Sequence, residues 1–246
     1  MKIIGVIPAR MGSSRFPGKP LAFLAGKPMI QHVYERTRRC RKLHETVIAT
    51  CDGEIALVAA KFGAKTVMTS STHERASDRV AEVAKKLKAD IYVMVQGDEP
   101  LIEPEMIDRA LKPLLKDSTV VCSNLAAPIL LESDFEDRNT IKVVMAENGN
   151  ALFFSREPIP TRQRARFGEF PAYKQVCVIP FRRDFLLEFS KLKPTPLEIA
   201  ESIDMLRALE HGYGVRMEIC GQPTQAVDTP EDLARVEAFL KQGAKR

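Results

Sequence analysis

Gly97-Asp98 closes an apolar run that starts at Ile91 and reaches Gln96, and a second aspartate stands far along the chain in Ala226-Val227-Asp228-Thr229-Pro230. The first apolar run is followed by Pro8-Ala9-Arg10-Met11-Gly12-Ser13-Ser14-Arg15-Phe16-Pro17-Gly18-Lys19-Pro20. A carboxylate at a strand end, a distant second carboxylate and a basic Gly-Ser loop suit metal-assisted transfer of a nucleotidyl group. In that loop Gly12 and Gly18 let backbone N–H groups approach an anion, Ser13 and Ser14 donate, and Arg10, Arg15 and Lys19 neutralise charge. It is not a Walker loop, since five residues separate Gly12 from Gly18 and Pro20 follows Lys19, and no G-x-G-x-x-G occurs in the chain. Magnesium must then be held elsewhere. Asp98 lies where open α/β sheets bind their ligands, at the carboxyl end of a strand, and with Asp228 it offers hard oxygen ligands that phosphates and waters can complete. The plainer alternatives are a solvated loop, a turn-forming Asp98 and a helix-capping Asp228.

The elements that would position these groups follow from periodicity. Apolar runs at 2–7, 46–50, 65–69 and 90–96 alternate with helical patterns at 29–41, 54–62, 75–87 and 104–115. The order βαβαβαβα predicts a doubly wound, mostly parallel sheet. From 119 the pattern changes, with strand-like runs at 119–126, 141–145, 151–154 and 172–181 that predict an antiparallel lobe or arm over about 130–195. Helices return at 196–210 and 230–242, the latter opened by Thr229 as N-cap, Pro230 in the first turn and Glu231 and Asp232 near the positive end of the helix dipole.

With 246 residues, 45% of them hydrophobic, the chain can bury a full core as one α/β domain with an added lobe. Its net charge of +5 is spread out, which argues against nucleic acid as a partner. Five cysteines with no C-x-x-C pair fit reduced thiols in cytosol better than disulfides or a zinc site. The opening residues lack a signal-peptide core, and no apolar stretch approaches the ~20 residues needed to cross a bilayer. A soluble, cytoplasmic protein is expected.

Longer motifs carry a resemblance. Ile7-Pro8-Ala9-Arg10, Ser13 through Leu21, Gly26 through Arg36, Gln96-Gly97-Asp98-Glu99-Pro100, Ile141-Lys142-Val143-Val144, Phe154-Ser155-Arg156 and Val227 through Leu233 occur in this order. Over nearly its whole length the chain resembles the cytidylyltransferases that activate 3-deoxy-manno-octulosonate. The resemblance implies a nucleotide-diphospho-sugar transferase fold, Mg2+, CTP as donor, an acidic sugar as acceptor, CMP-sugar and pyrophosphate as products, and a homodimer. It implies Ala9, Arg10, Ser14, Lys19, Ser77, Arg79 and Gln96 at the nucleotide and Asp98 with Asp228 on the metal. Arg10, Lys19, Asp98 and Asp228 are then the catalytic set, and Arg156, Gln175 and Asp204 face the acceptor.

Departures from the pattern cluster on the acceptor side. Where the family typically reads Lys/Arg-His-x-Gly-Ile/Val-Tyr-x-Tyr, this chain has Lys174-Gln175-Val176-Cys177-Val178-Ile179-Pro180-Phe181, and Asp204-Met205 replaces Glu-Gln. Arg75-Ala76-Ser77-Asp78-Arg79 keeps a hydroxyl and an arginine but loses a glycine near the base. If Gln175, Ile179, Phe181, Asp204 and Met205 line the acceptor pocket, a less hydroxylated or different acceptor is favoured. Drift within an enzyme for the usual acceptor is the alternative, and a nucleotide-binding regulator without turnover is a third reading.

Overall fold

The computed structural model describes residues 1–12, 16–221 and 224–243. The chain divides into two compact units, Met1–Asp108 with Pro223–Arg246, and Arg109–Gln222. The antiparallel lobe expected over 130–195 lies inside the second unit, which starts earlier and ends later.

In the first unit β1 (Ile3–Ala9) leads through a small hairpin, β2 (Phe23–Leu24) and β3 (Lys27–Pro28), into α1 (Met29–Thr37). Then come β4 (Glu45–Thr50), α2 (Gly53–Lys61), β5 (Lys65–Met68), α3 (Ala76–Lys86) and β6 (Ile91–Val95), followed by α4 (Pro104–Lys116). The expected βαβ alternation is therefore present, with the hairpin added. Strands β6-β1-β4-β5 lie side by side in that order, and their pairings β1 with β4, β1 with β6 and β4 with β5 are parallel. All seven residues of β1 and all five of β6 are buried, as strands covered on both faces require. Because the chain runs from β1 outward through β4 and β5 and then returns to β6, the order reverses between β1 and β6. That reversal is the switch point at which α/β sheets open a ligand crevice. In α3 the buried Val80, Val83 and Ala84 share one face at helical spacing.

The second unit carries β7 (Ser123–Pro128), α5 (Glu132–Glu136), β8 (Lys142–Met145), β9 (Ala151–Ser155), β10 (Tyr173–Val176) and β11 (Val178–Arg182). It continues with α6 (Arg183–Phe189), α7 (Pro196–Glu201), α8 (Asp204–Glu210) and β12 (Arg216–Ile219), and α9 (Pro230–Gly243) returns to the first unit. Its sheet has the order β12-β7-β10-β8-β9, antiparallel except for the β12–β7 pair.

Four expectations need correction here. The run 172–181 is two strands: β10 stays in the antiparallel sheet, the chain bends at Cys177, and Phe181 of β11 forms a bridge with Cys122. The helix expected over 196–210 is two helices, because Ser202 adopts the left-handed conformation (φ 55, ψ 48). The break has a purpose. Arg207 and Glu198 form a buried two-pronged ion pair at 2.6 and 2.8 Å, yet residues nine apart on a straight helix point to opposite sides about 13 Å apart. The helix expected to reach residue 41 ends at Thr37, and the strand expected from 119 begins at Ser123.

Candidate active site

Every well-placed group of the candidate site lies at the β1–β6 edge of the first unit. Gly97 follows β6, and a Cβ there would come within 3.2 Å of the Pro8 carbonyl oxygen and 3.3 Å of Ile30 Cδ1, so glycine lets the turn pass close to β1. Asp98 is thereby set beside the chain leaving β1. Gly18, at φ 71, reverses that chain into a short 3-10 helix, Lys19–Leu21, with Pro20 in its first turn. The Gly18 N–H donates to Met11 O at 3.1 Å and Lys19 N–H to Phe16 O at 3.2 Å, so the take-off of Lys19 is fixed by backbone bonds.

Asp228 arrives from the far end of the sequence by a backbone contact. The Val227 N–H donates to the Asp98 carbonyl oxygen at 2.9 Å, which lays the two aspartates side by side. Val227 packs with Leu24, Met29, Leu101 and Val236 in a buried cluster, against which Phe16 and Leu233 also lie. Burying a valine or leucine side chain contributes ~1.5–3 kcal/mol, so this apolar floor holds three separate segments of the site in place. Helix α9 is capped by Thr229 and Asp232: Asp232 Oδ2 accepts from the backbone N–H groups of Asp228 (3.1 Å) and Thr229 (3.0 Å), and Thr229 Oγ1 accepts from Asp232 N–H (3.2 Å). The expected N-cap Thr229 is present, and it works with Asp232.

The carboxylates converge on one cation, the ammonium of Lys19. Its Nζ donates to Asp98 Oδ2 at 2.8 Å, to the Val227 carbonyl at 2.9 Å and to Asp228 Oδ1 at 3.4 Å. The three side chains are 13%, 19% and 18% exposed. Burial alone would lower the Lys19 pKa, but the adjacent Asp98 and Asp228 charges outweigh it and hold the ammonium above the ordinary lysine value. This lysine–carboxylate cluster was not foreseen, since spacing in sequence gave no sign that Lys19 and the aspartates touch. Two carboxylates focused on one positive charge are also what a divalent cation requires of its protein ligands. The donor set therefore fits Mg2+ at Asp98 and Asp228.

Other expected residues sort themselves by exposure. Ala9 is buried at the end of β1, Arg10 is exposed immediately after it, and Gln96 is half-buried where β6 ends. Ser14 lies outside the described residues. Arg79 is 3% exposed, and its guanidinium donates to Thr69 Oγ1 and, at 3.2 Å, to the Ser70 carbonyl, while Ser77 is fully buried. Arg79, one of the two expected base-reading residues, thus holds the segment at Thr69–Ser70 from within. Glu82 assists: burial would raise its pKa, but hydrogen bonds from Lys86, the Ser70 N–H and His73 lower it to about 2.

The acceptor-side residues lie in the second unit. Gln175 Nε2 donates to Asn124 Oδ1 at 2.5 Å, and Asp204 is half-buried as the first residue of α8. Arg156 does not present a free fork. Its Nε donates to the Glu201 carbonyl at 2.7 Å and its two terminal nitrogens to the carbonyls of Arg138 (3.1 Å) and Ser202 (3.5 Å). Glu201, which the sequence did not single out, accepts from Ser155 Oγ (3.0 Å) and Arg156 N–H (2.8 Å). Ile179, Phe181 and Met205 are 2%, 0% and 0% exposed, and Phe181 packs on Phe185 and Phe189. These three belong to the core, which corrects the expectation that they line an acceptor pocket and makes their departure from the family pattern a matter of packing, whereas Gln175, Cys177 and Asp204 are half-buried.

Among the described residues no group of three or more His, Cys, Asp or Glu side chains gathers as a metal cage, and no helix is long and apolar enough to cross a membrane. All five cysteines are free thiols; burial pushes Cys40 up to about 11 and Cys122 to about 12.

Residues 4–219 match the cytidylyltransferase family, which makes the chain a nucleotidyltransferase. The chain is 46% identical over 245 residues to a 3-deoxy-manno-octulosonate cytidylyltransferase of Geobacter metallireducens, covering 96% of both chains. It is 47% identical over 250 residues to the enzyme so named from Geobacter sulfurreducens, covering 98% of this chain and 100% of that one. It also superposes on a solved CMP:2-keto-3-deoxy-manno-octonic acid synthetase complexed with CTP, at a TM-score of 0.91 and 39% identity over 99% of this chain and 100% of the other. The chain belongs to the 3-deoxy-manno-octulosonate cytidylyltransferase family, with the nucleotide-diphospho-sugar transferase fold expected from its motifs.

Proposed function

We propose that this protein transfers the cytidylyl group of CTP to the 2-hydroxyl of 3-deoxy-manno-octulosonate, releasing pyrophosphate, with Mg2+ held by Asp98 and Asp228. The observation that carries the reading is the convergence of these two carboxylates on a single cation at the β1–β6 switch point. Near-full-length likeness to enzymes named for this acceptor supports the choice of substrate. In the reaction the hydroxyl oxygen forms a bond to the α-phosphorus, the bond from that phosphorus to the bridging oxygen breaks, and the hydroxyl proton is released. Bound Mg2+ supplies Lewis-acid neutralisation of the charge that develops on the phosphate. Lys19 and Arg10 bind the triphosphate and stabilise the departing pyrophosphate. Arg79 and Ser77 shape the segment around Thr69 and Ser70 for the nucleotide, and Ala9 and Gln96 border it at the strand ends. Gln175 and Asp204 meet the sugar acid, and Arg156 holds their surroundings through Glu201 and Ser202.

We also infer a homodimer joined through the second unit and a cytoplasmic setting. Leu130, Leu131 and Leu152 of that unit are 82%, 61% and 62% exposed, which favours a covered surface, and free thiols fit a reducing compartment. Light scattering on the purified chain tests the dimer. Pyrophosphate release tests the activity: CTP with 3-deoxy-manno-octulosonate should give kcat/KM of ~10⁴ M⁻¹s⁻¹ or above. Faster turnover of another nucleotide or another sugar acid would overturn the assignment.

A further inference from the structure

Asp52 occupies the N-cap position of α2, and aspartate is a favoured capping residue, yet its side chain makes no capping bond to that helix. Its Oδ2 instead accepts the backbone N–H of Met11 at 2.8 Å, from a residue 41 positions away. Strand register explains the reach. Ala9 of β1 pairs beside Thr50 of β4, so the chain leaving β1 and the chain leaving β4 emerge together at one edge. Thr50 Oγ1 accepts the Asp52 N–H at 3.0 Å and fixes the turn from which the carboxylate extends. The Met11 carbonyl in turn accepts from Gly18 N–H at 3.1 Å. Both backbone polar groups of Met11 are therefore engaged, one by Asp52 and one by the residue immediately before Lys19. A carboxylate beside a loop that holds a polyanion repels that ligand, so its presence there calls for a compensating role.

We propose that Asp52 is a positioning residue for triphosphate binding. By gripping the Met11 N–H it fixes the root of the loop, and through the Met11–Gly18 bond it sets where Lys19 begins its approach to Asp98 and Asp228. The proposal rests on the nucleotidyl-transfer reading above and adds to it a residue that touches neither substrate nor metal.

The test compares Asp52→Ala, Asp52→Ser and Asp52→Asn in the full-length chain, with KM for CTP and KM for 3-deoxy-manno-octulosonate measured separately and thermal melts recorded. Serine caps helices about as well as aspartate but is one atom too short to reach Met11, whereas asparagine keeps the accepting oxygen. Alanine and serine should each raise KM for CTP about tenfold, the scale of one hydrogen bond to a charged group, and leave KM for the sugar acid within about twofold. Asparagine should stay within about threefold of wild type for CTP. Wild-type CTP kinetics in Asp52→Ser would show that the bond to Met11 is dispensable for CTP and overturn the proposal, as would unchanged CTP kinetics in Asp52→Ala. A wild-type chain that releases no pyrophosphate from CTP would instead overturn the function on which the proposal stands.

Discussion

Two lysines, the half-buried Lys19 of the first unit and the fully buried Lys142 of the second, are held by oxygen atoms of different kinds. Lys19 meets two carboxylates and one carbonyl. Lys142 Nζ meets three backbone carbonyls, those of Asp137, Thr140 and Arg156, at 2.9, 2.6 and 2.5 Å. Burial pushes both ammonium groups toward the neutral form. At Lys19 the two full charges win and the pKa rises; at Lys142 burial wins, the acids Asp137 and Glu157 recover only part, and the pKa falls to about 8. Peptide dipoles satisfy hydrogen bonds but bring no net charge. The carboxylate pair around Lys19 can accept another cation in its place, which suits a site that exchanges metal and anionic ligands. The carbonyls around Lys142 are fixed in the backbone, so that lysine ties the end of β9 to the turn before β8.

The comparison breaks first at Asp98. Asp98→Asn is isosteric but a poor magnesium ligand, and it should lower kcat/KM by ~10³-fold or more, the upper range for losing one group that stabilises developing charge, while the melting curve changes little. Asp228→Asn should follow more mildly. Near-normal turnover in Asp98→Asn at saturating Mg2+ would sink the metal assignment. Lys19→Ala should lower kcat/KM for CTP by ~100-fold. It also removes the ammonium that both Asp98 and Asp228 bind, so added Mg2+ should raise the Tm of the variant more than that of wild type. Equal Mg2+ shifts would mean that the ion binds elsewhere.

Lys142 should answer in stability instead. Lys142→Met strips three partly buried carbonyls of their donor, an expected loss of about 2 kcal/mol, which at this length lowers Tm by roughly 4–8 °C. Phe181→Tyr tests the acceptor-side correction. Restoring a tyrosine in the packed Phe181–Phe185–Phe189 cluster buries a hydroxyl among aromatic rings, at a cost of ~1–3 kcal/mol, and should not improve turnover of 3-deoxy-manno-octulosonate. A rise in that turnover would return Phe181 to the acceptor site.

The difference between the two lysines also marks what could be read from the sequence. Asp98 and the loop before Lys19 were legible because strand period and glycine placement are local properties, and the end of a strand is a known place for ligands. The Lys19 cluster was not, since it depends on the Val227–Asp98 backbone bond between distant segments. Arg79 and Arg156 read as ligand-facing cations because type and motif say nothing of direction; both guanidinium groups turn to backbone carbonyls. The split of 196–210 escaped notice for the same reason. Its apolar period is unbroken, and the Arg207–Glu198 pair that requires the kink joins residues nine apart. Short β12 and the β2–β3 hairpin carry too few residues for a period to show.

The smallest effect separates the lysines by pH. The folded-state pKa of Lys142, about 8, lies below the ~10.4 of lysine in an unfolded chain. Between those values the unfolded state binds more protons than the folded state, so this group makes stability rise with pH. Lys19 has a raised folded-state pKa, so its contribution is fully present below the unfolded value and is lost only as pH climbs through the raised one. Urea midpoints of wild type, Lys142→Met and Lys19→Met between pH 7.5 and 10 should therefore diverge. Wild type should gain on Lys142→Met as pH rises, while its margin over Lys19→Met stays flat. If the margin of wild type over Lys142→Met also stays flat across that window, the three carbonyls favour the ammonium at least as much as burial opposes it, and the two sites are then of one kind rather than two.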